Sequence, residues 1–174
     1  MSIAEEKVTF HRPTERAQAY LAFYSELVEE LEKASPGLVG ASRPSGLNWL
    51  NVKYLSHAGQ RVGVLAFTFA HRARFRVELY IDCGDGDRNK VVFDRLLAHK
   101  HRFETALGEV AWERLDNRRA SRIAVYRAGS IEDPPKKLAA LRAWGVEYMG
   151  RFNALIGPLL EKVLGRAEAP EKVG

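Results

Sequence analysis

The sequence predicts an α+β fold: a mainly antiparallel sheet of about five strands, in the order α-β-β-β-α-β-β-α, with helices packed on one face. Three observations carry this expectation. Apolar residues recur at three- and four-residue steps in three long stretches, the period of a helix that buries one stripe. Between those stretches stand segments in which apolar and polar residues alternate, the period of a strand with one buried face. Short turn-forming runs join the alternating segments, which suits antiparallel neighbours.

A chain of 174 residues has the size of one ordinary domain and can bury a core without disulfide staples. A single domain over 1–174 is expected, with its core between Pro13 and Leu164 and polar ends. Cys83 is the only cysteine, which excludes an internal disulfide and a cysteine-based zinc site. No apolar run approaches the roughly 18 residues of a membrane helix, and the N-terminus lacks a signal-peptide layout. A cytoplasmic location is expected. The net charge of +5 and pI near 9.4 bias the protein toward acidic partners such as nucleic acid.

In chain order, residues 1–12 form a mixed lead with a short extended piece at Lys7-Val8-Thr9-Phe10. Pro13 opens a helix whose stripe is Ala17, Tyr20, Leu21, Tyr24, Leu27, Val28 and Leu31, and Pro36-Gly37 stops it. Strands are expected at 47–54, 61–70 and about 72–83, with a turn at 56–60 between the first two. The acidic run Cys83-Gly84-Asp85-Gly86-Asp87 leads into a second helix over 88–107, which Gly108 closes. Two more strands follow at 110–115 and 121–127. Asp133 as N-cap and Pro134 at the first turn begin a last helix that runs to about Leu164. Gly145 and Gly157-Pro158 are candidate bends in it.

The third strand is the most informative. From Arg72 to Asp82, Ala73, Phe75, Val77, Leu79 and Ile81 alternate with Arg72, Arg74, Arg76, Glu78, Tyr80 and Asp82. The turn at 70–72 decides what shares the arginine face. A two-residue turn puts Phe67 and Phe69 beside Arg74 and Arg76, whereas a three-residue loop puts them with Phe75 on the core side. The second arrangement is preferred, because it buries Leu65, Phe67 and Phe69 together.

At Arg76-Val77-Glu78-Leu79-Tyr80-Ile81, then Phe93 with Leu96-Leu97, Lys100, Phe103-Glu104, Trp112 and Trp144, the chain resembles a bacterial family that carries a domain-of-unknown-function label. The resemblance spans roughly Arg16 to Leu164. That family occurs alone or behind endonuclease-like modules of the PD-(D/E)XK type, often among restriction and defence genes. The resemblance implies an accessory or DNA-associated role, with a restriction or defence protein as partner.

Catalytic patterns are weak. A PD-(D/E)XK nuclease needs an acid, a spacer and a lysine on a strand, and Glu78-Leu79-Tyr80 puts tyrosine in the lysine's place. Glu78 and Asp82, with Lys90 and Glu104 on the second helix, are the candidates for a magnesium-dependent nuclease. Outside that alternative no cofactor and no metal is expected. Asp82, Asp85 and Asp87 lack the spacing of a calcium loop and suit a helix N-terminus better. The histidines at 11, 57, 71, 99 and 101 include no pair at three- or four-residue spacing.

The basic face remains. Arg72, Arg74 and Arg76, joined by Arg114, Arg122 and Tyr126 from later strands, offer guanidinium forks for phosphates and a ring for an unpaired base. The leading expectation is a non-catalytic nucleic-acid-associated module. A homodimeric protein–protein adaptor, with the face buried against a partner, is the alternative.

Overall fold

Alternation along the third strand sets the layers. In a computed structural model that describes residues 7–8, 10, 12–40 and 43–165, Phe75, Val77, Leu79 and Ile81 all lie buried on the side that carries the helices. The elements are α1 (Pro13–Ala34), β1 (Trp49–His57), β2 (Gln60–Ala70), β3 (Arg74–Ile81), α2 (Gly86–Leu97), α3 (Lys100–Leu107), β4 (Ala111–Glu113), β5 (Ser121–Ala128) and α4 (Pro135–Leu164). The strands form one antiparallel sheet in the order β1-β2-β3-β5-β4. The α+β fold and the element order therefore match the expectation, with the second helix divided in two.

The β2–β3 connection is the three-residue loop His71-Arg72-Ala73. Phe69 pairs with Phe75, and Phe67 with Val77, so the phenylalanines share the core side. Arg72 and Ala73 have φ of 63° and 51°, left-handed conformations that end the strand. The expected strand start at Arg72 is thus corrected to Arg74. Phe67 and Phe75 stack at 5.7 Å, while Phe69 and Phe23 of α1 close the cluster at 4.7–5.6 Å from Phe75 or each other. Rings in such geometry add dispersion and quadrupole attraction to area burial.

Each helix follows its apolar stripe with local adjustments. α1 buries Phe23, Tyr24, Leu27 and Leu31 and leaves Leu21 exposed. The buried Tyr24 hydroxyl donates to the Asn48 carbonyl at 2.8 Å, and burial pushes its phenol well up from its ordinary value. The single helix expected over 88–107 breaks at Ala98–His99. The break lets Phe93 and Phe103 both pack edge-on against Trp112, at 5.9 and 4.9 Å. In one straight helix, rings ten residues apart would stand about 15 Å apart along the axis, too far to share an indole. Asp85 caps α2 by accepting from the Asp87 and Arg88 amides.

α4 begins one residue later than expected, because Asp133 accepts instead from the Ser130 amide at 3.0 Å and Pro134 takes the cap position. The helix continues through Gly145 and Pro158 to Leu164. Gly145 serves close approach: a Cβ there would stand 3.1 and 3.2 Å from ring carbons of Phe67 and Phe75. β1 extends to His57 and turns through Ala58-Gly59, both with positive φ, a two-residue hairpin that matches strand twist. β4 is shorter than expected, since Leu115 leaves the extended region at φ 55°. Of the extended lead, the Val8 amide donates to the Glu132 carbonyl; Thr9 lies outside the described residues. No helix among the described residues is long and apolar enough to cross a membrane.

Two helical glycines make a matched test. Gly→Ala inside a helix ordinarily gains about 1 kcal/mol. Gly150→Ala, whose Cβ would meet only Ser35 Oγ at 3.7 Å, is expected to stabilise by roughly 0.5–1 kcal/mol in urea unfolding. Gly145→Ala is expected to be neutral or destabilising, because the stacked rings beneath it have little room to give.

Candidate nucleic-acid interface

The parity that buries the phenylalanines sends Arg74, Arg76, Glu78 and Tyr80 to the opposite face of the sheet, away from the helices. Across the β3–β5 ladder Arg76 pairs with Tyr126, Glu78 with Ala124 and Tyr80 with Arg122. The side chains there arrange themselves around one carboxylate. Glu78 is 5% exposed. Its Oε1 accepts from the Thr68 hydroxyl at 3.3 Å, and Arg76 Nε donates to its Oε2. Arg122 Nε stands 2.9 Å from the same oxygen, close enough for an ion pair but out of hydrogen-bond alignment. Arg122 Nη1 lies 3.6 Å from Glu113, which also accepts from the Tyr126 hydroxyl at 2.8 Å. Burial and that hydrogen bond together raise the Tyr126 phenol.

Around this centre runs a groove of about 450 Å³. Its floor is β2, whose residues on this face are the small Val64, Ala66 and Thr68. One wall is β3, with Arg76, Glu78 and Tyr80; the other is β1, with Trp49, Asn51 and Tyr54. Trp49 is 43% and Tyr54 47% exposed. Guanidinium groups lie over aromatic rings along the face: Arg61 over Tyr54 at 4.1 Å, Arg74 over Tyr126 at 4.2 Å and Arg122 over Tyr80 at 5.9 Å.

The sequence candidates divide. Arg74, Arg76, Arg122 and Tyr126 come together on this face. Arg72 does not, because it sits in the β2–β3 loop. Nor does Arg114: its guanidinium pairs with Asp94 of α2 at 2.9 and 3.0 Å and with Asp116, at the helical side of the sheet edge. Those carboxylates push the exposed Arg114 guanidinium up, and it in turn holds Asp94 below its ordinary value.

The catalytic candidates are dispersed. Lys90 Nζ is taken up by the carbonyls of Arg114, Leu115 and Ala120 and by Ser121 Oγ, at 2.6–2.9 Å, and so clamps the β4–β5 turn. Glu104 pairs with Lys100 on α3. Asp82 lines the end of the groove but is held by Arg119, the Gly84 amide and Asn89. Among the described residues no group of three or more His, Cys, Asp and Glu side chains is placed to hold a metal ion.

Residues of the β1 wall escape a reading by alternation. Trp49 and Asn51 are odd and Tyr54 is even, yet all three line one groove, because the register shifts between Asn51 and Lys53. A bulge of this kind flips the faces beyond it, and nothing in the residue types of 51–53 announces it.

Two outcomes test this geometry. Replacing Glu78 by Gln removes the carboxylate that stands between two close guanidinium groups, and is expected to cost about 3 kcal/mol in denaturant unfolding; adding Arg122→Gln should recover part of the loss. For Asp82, partial burial works to raise the carboxyl, but the hydrogen bonds from Arg119, Gly84 and Asn89 outweigh it and hold the group below its ordinary value. The unfolded chain therefore binds the proton more readily, so the contribution is complete above the ordinary carboxylate value and is lost as pH falls through the lower folded one. Stability measured against pH in the acid range should be flatter for Asp82→Asn than for the natural chain.

Comparison with known proteins adds the family. No curated protein and no solved structure matches the chain. A family model described as a domain of unknown function, DUF4268, matches residues 19–160. The match runs from within α1 to the last turns of α4, the β1–β3 groove included, and the chain belongs to that family.

Proposed function

We propose that the protein is a non-catalytic, nucleic-acid-associated accessory module that acts through the open sheet face. The observation that carries this reading is the groove between β1 and β3, where exposed Trp49 and Tyr54 face the Arg76–Glu78–Arg122 centre. Aromatic faces stack on bases and guanidinium groups meet phosphates or base edges, the two needs of single-strand binding. The net charge of +5 supplies a general attraction to a polyanion.

Cutting is less well supported than binding. Glu78 is committed to two guanidinium groups and Asp82 to a third, and a divalent cation at either would meet those positive charges. In the same proposal the protein works in the cytoplasm beside a restriction or defence partner, the role that the family resemblance implies. A homodimer is the second reading, favoured by the apolar exposure of Leu47 just before β1 and of Trp49 and Tyr54 on it.

Fluorescence anisotropy with labelled DNA and RNA strands tests the proposal. Log affinity should fall linearly with log salt, and Arg61→Gln with Arg74→Gln, both at exposed positions, should reduce that slope by about 0.7 per lost phosphate contact. Affinity that is indifferent to salt and to both substitutions contradicts it. Light scattering that stays monomeric at high concentration removes the homodimer.

A further inference from the structure

The groove has a width, two stacking walls and a centre built of two guanidinium groups, and together these narrow the ligand. Its walls stand on β1 and β3, the two neighbours of β2. They are therefore two strand spacings apart, about 9.6 Å between backbones. Side chains on both walls reduce that to room for a flat ring standing between them. A helix about 10–12 Å across does not enter, and neither does a nucleic-acid duplex, whose major groove alone is about 12 Å wide.

The hydrogen-bonding character follows from how Glu78 is used. Both its oxygens are engaged, Oε1 by Thr68 and Oε2 by Arg76 and Arg122. The carboxylate thus holds the guanidinium groups in place. Arg76 spends its Nε on Glu78. Among the described residues its Nη groups make no hydrogen bond, and no hydrogen bond runs from Arg122 either. The centre therefore offers N–H donors. A ligand edge that carries two adjacent acceptors suits it, and an edge with an amino group sets donor against donor. Of the two purines, guanine presents the acceptor pair O6 and N7, whereas adenine presents N7 beside an amino group.

Resting on the nucleic-acid reading above, we propose that the groove is a slot for an unpaired base, and that of the purines it prefers guanine to adenine. The base stacks on Trp49, which makes no ring contact among the described residues, and O6 and N7 face the Nη groups of Arg76. Pairing in a duplex would keep the base within its own stack and away from the indole.

The experiment compares short labelled oligo-dT strands that carry one central dG or one central dA, at constant salt, each alone and annealed to its complement. The single strand with dG should bind at least about five-fold more tightly than the one with dA, and annealing should weaken binding about ten-fold. Arg76→Lys, which keeps a positive charge beside Glu78, should bind both strands with equal affinity. Trp49→Ala should weaken both about ten-fold with the salt slope unchanged, and Trp49→Phe should restore most of it. Equal affinity of the natural protein for the dG and dA strands overturns the guanine preference while leaving nucleic-acid binding in place. Duplex bound as well as single strand overturns the slot. Binding to none of the strands defeats both this inference and the reading beneath it.

Discussion

The pairing of Phe69 with Phe75 across a three-residue loop is the constraint on which the rest of the molecule depends. Strand side chains alternate, so a loop one residue shorter would turn every residue of β3 to the other face. Phe75, Val77, Leu79 and Ile81 would leave the helices, and Arg76 and Glu78 would enter the core. The loop accomplishes the register with two residues in left-handed backbone, Arg72 and Ala73. Such conformations cost more for side-chain-bearing residues than for glycine. The burial of Phe23, Phe67 and Phe69 around Phe75 outweighs that cost, since each buried side chain of this size contributes about 1.5–3 kcal/mol.

What the register buries on one side it exposes on the other. A sheet covered by helices on one face alone leaves the second face to polar residues. Here the second face has a structure of its own, because small residues on β2 lie between large ones on β1 and β3. The Arg76–Glu78–Arg122 cluster sits at its centre, largely withdrawn from water. Buried ion pairs give little net stability against an apolar alternative, because desolvation consumes most of the attraction. A cluster of this kind is better understood as a means of orientation: it fixes two long, flexible side chains at one spot. Lys90 plays the corresponding role on the helical side, where its four oxygen partners hold the β4–β5 turn.

The layers, the element order and the helical stripes were legible because period and turn residues speak directly to them. Arg74, Arg76 and Arg122 were legible as one face for the same reason. Three features were not. The α2–α3 break at Ala98–His99 contains neither glycine nor proline and arises from tertiary packing on Trp112. The place of Arg114 depended on Asp94, twenty residues away on another element. The wall of Trp49, Asn51 and Tyr54 was hidden by the β1 bulge, so the aromatic half of the groove emerges only from the folded chain. Alternation reports faces until a bulge intervenes, and long-range partners leave no local trace.

The three tryptophans stand in different layers and report which face meets nucleic acid. Trp49 lines the groove, whereas Trp112 packs under α2 and α3 and Trp144 against Phe75. Their indole N–H signals in a nitrogen–proton correlation spectrum can be followed as an unlabelled single strand is added. The Trp49 signal should shift progressively and saturate while those of Trp112 and Trp144 stay in place. Movement of Trp112 or Trp144 with Trp49 unmoved, or three unmoved signals in an excess of strand, would contradict binding at the open sheet face.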